Sequence, residues 1–303
     1  MSLLLAAWLT LAADTKPLFE DGDLVVLLGG TLVERAQEYG HWEAALQLAH
    51  PDKTLRFRNL GWSGDTVWAE SRGQFDPPEE GYQRMIEQVT ALKPDVIILG
   101  YGNAEAFAGP EGLEAFETQY RKLIGDLPES RFVIFAPVQM GPAAGGKLAT
   151  QHNRLVHAYA NRIEHVAADI DAAFVDWDLS GFAAHLGDIY EANGLHLSEF
   201  GYGVLSSQLV PREGDDERSD SEPIDFATAN CFSDSRTELL AAIRRKNRLV
   251  FDRWRPQNVT YLFGFRKHEQ GQNAAEIPRF DPLIEAADAE IDRIKRELAG
   301  TAE

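Results

Sequence analysis

Short apolar runs alternate with longer amphipathic stretches from Asp23 to about Leu209. Most of the runs are continuous Val, Ile, Leu and Phe segments, which is typical of parallel strands buried on both faces. The stretches between them carry apolar residues at helical spacing. The pattern predicts strands at Leu24–Leu28, Leu55–Asn59, Val96–Leu99, Phe132–Ala136 and Ala173–Val175. It predicts helices at His41–Ala49, Tyr82–Leu92, Leu113–Leu127, Leu148–Ala168 and Glu199–Leu209.

This alternation predicts an α/β fold, a three-layer α/β/α sandwich around a parallel, flavodoxin-like sheet. Residues 14–210 form the predicted α/β domain. Ligands of such sheets bind beyond the carboxyl ends of the strands. The residues that directly follow each predicted strand are therefore the candidates for function.

The chain changes character after the last of these helices. Residues 211–224 are charged and nearly free of apolar side chains, which predicts a linker or an exposed loop. Residues 225–303 predict a C-terminal helical arm, with helices over Arg236–Trp254 and Pro282–Leu298. The segment Trp254–Phe265 is rich in aromatic residues, which either stack on sugar rings or anchor the arm. We favour the anchor, because aromatic side chains dominate packing.

Composition narrows the function classes. The net charge of −19 repels phosphate backbones and anionic membranes, so nucleic acid is not an expected partner. The single cysteine, Cys231, excludes an intrachain disulfide framework. The apolar run Leu3–Ala13 is too short to span a bilayer, and no membrane span is expected. Its small-residue end predicts a signal peptide over residues 1–13 and export to the periplasm or the cell exterior. The alternative is a short N-terminal helix packed on the body of the protein.

The ends of the first two strands carry a hydroxyl and a glycine-rich turn. Gly29-Gly30-Thr31-Leu32 places Thr31 ahead of a helix, whose N-terminus favours developing negative charge. On local spacing alone, Thr31 is better interpreted as a helix N-cap, with Glu34 completing a capping box. In Ser63-Gly64-Asp65-Thr66, preceded by Asn59, the Gly64 N–H is a candidate donor to an oxyanion.

Two later segments add an amide and a histidine. Gly102-Asn103 follows the third strand and offers the Asn103 amide as a second oxyanion donor. Asn193-Gly194-Leu195-His196 precedes the last helix of the α/β domain. A histidine in such a loop is a candidate general base.

In their order along residues 24–209, the four segments resemble the characteristic blocks of the SGNH hydrolase family, the GDSL-like lipases and acylhydrolases. The resemblance implies that Thr31 is the nucleophile, that His196 is the base and that Asn193 takes the place of the family's acid. It implies that Gly64 and Asn103 bind the oxyanion. Around them, the predicted substrate-binding residues are Asn59, Asp65 and Glu105.

The chain also departs from the family pattern. Thr31 stands where the family has Ser, and Gly30 and Asn193 stand where it has Asp. Asn103 comes one residue early, with Ala104 in the place of the Asn of close relatives. Glu191 is near enough in sequence to replace the missing acid. The C-terminal segments 253–258 and 264–273 resemble the tails of family members from planctomycete bacteria.

Two functions remain open from the sequence. The first is an exported esterase, without a cofactor, that removes a small acyl group such as acetyl from a polysaccharide or a small-molecule ester. The second is a catalytically inactive relative that binds carbohydrate or a protein partner. A carboxylate within hydrogen-bond reach of the His196 ring would favour the first. Ser63 is a further candidate nucleophile, beside the oxyanion glycine.

Two other patterns are weaker. The segment 141–147 has the glycine and lysine spacing of a phosphate-binding loop, but Leu148 replaces the Ser or Thr that would bind Mg²⁺. His152 and His157 are five residues apart, which does not align them on one helix face, so no metal site is predicted.

Overall fold

A computed structural model describes residues 17–210, 234–257 and 259–300. Its strands are β1 (Leu24–Gly29), β2 (Arg56–Asn59), β3 (Val96–Gly100), β4 (Arg131–Phe135) and β5 (Ala173–Val175). Its α-helices are α1 (Thr31–Tyr39), α2 (His41–Ala49), α3 (Pro78–Leu92), α4 (Leu113–Asp126), α5 (Gly146–Asp169), α6 (Leu186–Ile189), α7 (Glu199–Ser206), α8 (Asp234–Trp254), α9 (Val259–Leu262), α10 (Lys267–Gln270) and α11 (Asp281–Gly300). Short 3₁₀ helices lie at Glu70–Arg72, Glu105–Ala108, Pro110–Gly112, Pro142–Ala144, Ser180–His185 and Gly271–Phe280.

The five strands form one parallel sheet in the order β2-β1-β3-β4-β5. Side chains of β1 alternate between two apolar cores, with Val25 and Leu27 in one and Val26 and Leu28 in the other. Helices therefore cover both faces of the sheet, and the predicted three-layer α/β fold with a flavodoxin-like order is confirmed. The order reverses between β1 and β3, and such folds bind ligands at that point.

The turn between β1 and α1 differs from the prediction. The helix begins at Thr31 with Gly30 as its N-cap residue, and no side chain caps it. The prediction that Thr31 caps the helix in a capping box with Glu34 is therefore wrong. A Cβ on Gly29 would lie 2.4 Å from the Gly100 carbonyl oxygen, and one on Gly30 would lie 2.9 Å from that of Asp65. The end of β3 and the loop after β2 therefore leave little room for a side chain at Gly29 and Gly30.

The C-terminal arm packs on the β2 side of the α/β domain. An apolar cluster joins α8 and α11 to α2 through Ala44, Leu239, Ile243, Ile291 and Ile294. Lys246 of α8 is fully buried and donates hydrogen bonds to Glu43 Oε2 at 2.6 Å and to the Phe57 carbonyl oxygen at 3.1 Å. The predicted helical arm is confirmed, and it is attached by both apolar packing and a buried ion pair.

Two predictions concern residues outside the described ones: the signal peptide over residues 1–13 and the linker over 211–224. The division of the chain into two domains stays a prediction. Among the helices of the described ranges, none is both long enough and apolar enough to cross a membrane.

Candidate active site

Thr31 and Gly64 are in direct contact at the carboxyl edge of the sheet. The Gly64 N–H donates a hydrogen bond to Thr31 Oγ1 at 2.9 Å. Gly64 has a φ of 75°, a left-handed conformation that glycine adopts without steric cost. The Ser71 hydroxyl donates to the Gly64 carbonyl oxygen at 2.8 Å and holds the loop from behind. A hydroxyl at a helix N-terminus beside a backbone N–H is an arrangement suited to acyl transfer.

The C-terminal arm holds the loop that carries Gly64. The two carboxylate oxygens of Glu34 accept hydrogen bonds from the Ser63 N–H and from Arg255, the second at 3.2 Å. The Arg255 guanidinium also lies 3.5 Å from the centroid of the Trp62 ring, which is a cation–π contact. Glu34 and Arg255 have no counterpart among the predicted site residues.

The aromatic segment of the arm has two different ends. Trp254 packs edge-on against Trp62, with ring centroids 5.9 Å apart, and this agrees with the favoured anchor interpretation. Phe263 and Phe265 are 53% and 71% exposed. Phe265 contacts only the equally exposed ring of Phe75 in the aromatic pairs of the described residues. This end of the segment is therefore accessible to a ligand.

Asn59 is bonded to backbone groups, and its predicted contact with substrate stays a prediction. Its side chain is buried, donates to the Val33 carbonyl oxygen at 2.7 Å and accepts from the Gly61 N–H at 2.8 Å. These bonds join the end of β2 to α1. Asn59 therefore fixes the distance between the two elements that carry Thr31 and Gly64.

Asp65 and Glu105 are also buried, and their predicted contact with substrate stays a prediction. Asp65 Oδ2 pairs with Arg72 Nε at 2.6 Å. Glu105 accepts hydrogen bonds from the N–H groups of Val67 and Gly102 at 2.9 and 2.8 Å, and so joins the loops after β2 and β3. Burial raises the pKa of Glu105 to about 7 and also raises the pKa of Asp65, which the charge of Arg72 opposes.

The Asn103 amide is bonded to the neighbouring loop. Its Nδ2 donates to the Val138 carbonyl oxygen at 2.6 Å, and its Oδ1 accepts from the Val138 N–H at 3.3 Å. One of the two amide hydrogens therefore remains for an oxyanion. The role of Asn103 as an oxyanion donor stays a prediction.

His196 lies in a hairpin-like loop that also contains Glu191. Tyr190 and Leu197 form an antiparallel bridge, and the Glu191 N–H donates to the His196 carbonyl oxygen at 2.8 Å. The chain reverses at Gly194, which has a φ of 65°. Residues 191 and 196 therefore face each other across the loop.

The His196 ring has two neighbours at Nδ1. The amide nitrogen of Asn193 lies 3.2 Å away, and Glu191 Oε2 lies 3.6 Å away. The other carboxylate oxygen of Glu191 pairs with Arg35, which is one helical turn after Thr31 on α1. The histidine loop is thereby attached to the helix that begins with the candidate nucleophile.

Within the described residues, no hydrogen bond joins Thr31 or Ser63 to His196. Catalytic hydrogen bonds are often long in unliganded structures and shorten with substrate. The structure brings together Thr31 with Gly64, and His196 with Asn193 and Glu191. Arg35 is a further member that the sequence did not indicate, whereas Asn193-Gly194 is a turn signal that could have placed Glu191 beside His196.

A groove of about 950 Å³ lies at the carboxyl ends of β4 and β5. It shares a wall with the histidine loop, because Gly141 N–H donates to the Gly194 carbonyl oxygen at 2.8 Å. Among the described residues that line it are Glu164, Asp176 and Asp178, and none of the lining residues is Lys or Arg. The groove therefore suits a neutral or cationic ligand.

The remaining histidines do not form a metal centre. His152 is buried and stacks on Phe107 with ring centroids 4.0 Å apart, and His157 pairs with Gln139 at 2.7 Å. In the described ranges, no group of three or more His, Cys, Asp or Glu lies where it could hold a metal ion.

A family model matches residues 29–204 of the chain, and its description is GDSL-like lipase/acylhydrolase family. The matched region includes Thr31, Gly64, Asn103 and His196 and ends before the C-terminal arm. A comparison with curated proteins finds no match.

Solved structures with a similar fold have low sequence identity. A catalytic mutant of an acetylxylan esterase from Geobacillus stearothermophilus is 18% identical, with a TM-score of 0.48 over 64% of this chain and 99% of that one. A lipase/acylhydrolase from Enterococcus faecalis is 16% identical, with a TM-score of 0.47 over 62% of this chain and 93% of that one. A gut microbial diltiazem-metabolizing enzyme is 18% identical, with a TM-score of 0.48 over 64% of this chain. The chain spans 47% of that enzyme's length.

Proposed function

The chain belongs to the GDSL-like lipase/acylhydrolase family, and we propose that it is a carboxylic ester hydrolase with Thr31 as its nucleophile. The observation that carries the proposal is the 2.9 Å hydrogen bond from the Gly64 N–H to Thr31 Oγ1. It brings a hydroxyl and a backbone donor to one point, as attack on a carbonyl group requires. The α1 N-terminus adds a partial positive charge at the same point.

The reaction uses these groups in two steps. Thr31 Oγ1 attacks the acyl carbon while its proton passes to Nε2 of His196. The electron pair of the carbonyl moves to oxygen, and this oxyanion accepts hydrogen bonds from the N–H groups of Gly64 and Thr31 and from the remaining N–H of the Asn103 amide. The alcohol then leaves with the proton from His196, and an acyl ester of Thr31 remains.

Water completes the second step. It loses a proton to His196 and attacks the acyl carbon, and collapse of the new oxyanion returns the proton to Thr31 Oγ1. The products are a carboxylic acid and an alcohol, and no cofactor takes part. In this scheme the Gly64 N–H exchanges its resting partner, the Thr31 hydroxyl, for the developing oxyanion.

We propose that the alcohol portion of the substrate occupies the groove at the ends of β4 and β5. Its acidic residues, Glu164, Asp176 and Asp178, disfavour an anionic alcohol, as does the net charge of −19. The groove also offers hydroxyl, amide and imidazole groups, including Thr150, Asn153 and His157. An acetylated neutral polysaccharide or a small-molecule ester of a polyol fits these properties.

Hydrolysis of a short-chain chromogenic acetate by the full chain tests the reaction, beside Thr31→Ala and His196→Ala. We expect turnover in the parent that falls by about 10³-fold or more in both variants. Release of acetate from acetylated xylan tests the substrate class. Turnover that is absent, or equal in all three proteins, would rule out the esterase.

One observation favours the second candidate function, a catalytically inactive protein that binds carbohydrate. The exposed rings of Phe75 and Phe265 pack edge to face with centroids 6.3 Å apart, and exposed aromatic rings of this kind can stack on sugars. This function predicts binding of unmodified xylan without acetate release. The affinity of the protein for xylan would fall when Phe265 is replaced by Ala and would not change in Thr31→Ala.

A further inference from the structure

The Asn193 amide has a fixed orientation beside the His196 ring. Its Oδ1 accepts hydrogen bonds from the N–H groups of Leu195 at 2.8 Å and of His196 at 3.1 Å. An amide oxygen bound in this way cannot exchange places with the amide nitrogen. It is therefore Nδ2, a donor, that lies 3.2 Å from His196 Nδ1.

This orientation selects one tautomer of the neutral ring. An amide N–H that donates to Nδ1 requires a lone pair there, and the ring proton then sits on Nε2. A general base that acts through Nε2 needs the opposite tautomer, with the proton on Nδ1 and an acceptor to hold it. Asn193 therefore favours the tautomer that does not accept a proton from the nucleophile.

Glu191 favours the working tautomer. A carboxylate is only an acceptor when ionised, and Glu191 Oε2 lies 3.6 Å from His196 Nδ1, about 0.8 Å beyond a usual charge-assisted hydrogen bond. The hairpin fixes the backbone of Glu191 opposite His196. Arg35 binds its other carboxylate oxygen and keeps the side chain beside the ring.

We propose that Glu191, and not Asn193, is the positioning residue that orients His196 for base catalysis, and that Asn193 opposes it. Closing of Glu191 onto Nδ1 breaks the contact with the Asn193 amide and moves the ring proton to Nδ1. Arg35 shares the carboxylate with the ring, so it couples the position of Glu191 to the helix that carries Thr31. The proposal rests on the proposed function, in which His196 Nε2 is the base.

Three variants test the roles: Glu191→Gln, Asn193→Asp and the double variant. Glu191→Gln keeps the size of the side chain and removes the charged acceptor, and we expect kcat to fall by about 10²-fold or more with KM little changed. Asn193→Asp turns an opposing donor into an acceptor, so its kcat should exceed that of the parent. The kcat of the double variant should be at least about tenfold higher than that of Glu191→Gln.

The matched control is Glu199→Gln. Glu199 lies in the same region of the sequence and pairs with Arg244 and His41, and none of its ion pairs within the described residues includes His196. We expect parental kcat and KM in this variant. A loss of activity in Glu199→Gln as large as that in Glu191→Gln would overturn the assignment.

The tautomer itself is measured by ¹⁵N NMR of the ring nitrogens at a pH where the ring is neutral. We expect Glu191→Gln to move the equilibrium toward the Nε2–H form and Asn193→Asp to move it toward the Nδ1–H form. Identical ring nitrogen shifts in the parent and in Glu191→Gln would overturn the proposal. This measurement does not need turnover. A parent without esterase activity would refute the proposed function, and the NMR shifts would still decide whether Glu191 orients His196.

Discussion

The hydroxyl of Thr31 accepts a hydrogen bond from the N–H of Gly64 at 2.9 Å. Under the proposed function Thr31 is the nucleophile, and in this arrangement its hydroxyl occupies the N–H donor that the oxyanion would need. The bond also orients Oγ1, since threonine has few χ1 rotamers within a helix. In the proposed reaction the acyl oxygen enters between these two groups, so the side chain of residue 31 limits the space available to it.

Substitutions of Thr31 separate its hydroxyl from its methyl group. Thr31→Val keeps the shape and removes the nucleophile, so we expect kcat to fall by about 10³-fold or more. Thr31→Ser removes the methyl that crowds Oγ1, and its kcat should rise by about tenfold at most, which corresponds to about 1.4 kcal/mol in the barrier. Steady-state kinetics on a chromogenic acetate measure both. Parental activity in Thr31→Val would show that Thr31 is not the nucleophile, and Ser63→Ala would then test the further candidate, Ser63.

Arg255→Ala tests whether the C-terminal arm positions the loop that carries Gly64, a proposed oxyanion donor. The arginine stacks on Trp62 and binds the carboxylate of Glu34, which accepts from the Ser63 N–H. Its loss should displace Gly64 slightly and lower kcat by about tenfold, because small misplacements of catalytic groups are costly. The matched control is Arg253→Ala, whose ion pair with Asp281 is exposed and includes no residue of that loop. Equal kcat values in the two variants would contradict a positioning role.

The buried pair of Lys246 and Glu43 predicts a large effect on stability. Lys246→Met leaves the Glu43 carboxylate buried without its cation, and we expect the free energy of unfolding to fall by about 3 kcal/mol or more. Lys246→Met combined with Glu43→Leu removes both charges and should recover most of this loss. Urea denaturation measures the three proteins. A double variant no more stable than Lys246→Met would show that the loss has another origin.

Glu105 predicts a stability that depends on pH. Its pKa in the folded protein is about 7, above the usual value of 4.5, because burial disfavours the charged form. Between these values the folded state holds a proton that the unfolded state has lost. The contribution of Glu105 to the free energy of unfolding is therefore fully present below pH 4.5. It is lost as the pH rises through 7, by about 3 kcal/mol.

The comparison of the parent with Glu105→Gln isolates this contribution. The difference between their free energies of unfolding should change by about that amount from pH 4.5 to pH 7, while the exposed control Glu111→Gln follows the parent. Urea titrations at several pH values provide the measurement. Parallel curves for the parent and Glu105→Gln would mean that folding does not raise the pKa of Glu105.

The strands were predictable because they are buried on both faces. In β1 and β3 every residue is buried, so their apolar runs have no polar interruption. Helix α3 was harder, since it begins at Pro78, one turn before the predicted start at Tyr82. The first turn, Pro78-Glu79-Glu80-Gly81, is polar and has no apolar periodicity, although proline at the first helical position is a known start signal.

The sequence predicts only those parts of the site that lie directly after strands, because the order of the strands places these residues together. Thr31 and Gly64 follow adjacent strands of a parallel sheet, so their closeness follows from the fold. Arg35 is 156 residues from Glu191, and Arg255 is 221 residues from Glu34. No local pattern relates such distant charged residues, because any solvated helix presents similar side chains. The burial of Asn59, Asp65 and Glu105 likewise depends on the loops packed around them.

The position of the arm has a consequence for the solubility of the α/β domain. Strand β2 is an edge strand, and its Phe57 carbonyl oxygen accepts from Lys246 of α8. An uncovered edge of this kind would present free backbone groups to which a strand of another molecule could add. A protein cut at the end of the family match, residue 204, would keep every proposed catalytic group yet expose that edge. We therefore expect the arm to protect the domain from aggregation through this edge, and expression of the α/β domain should include it.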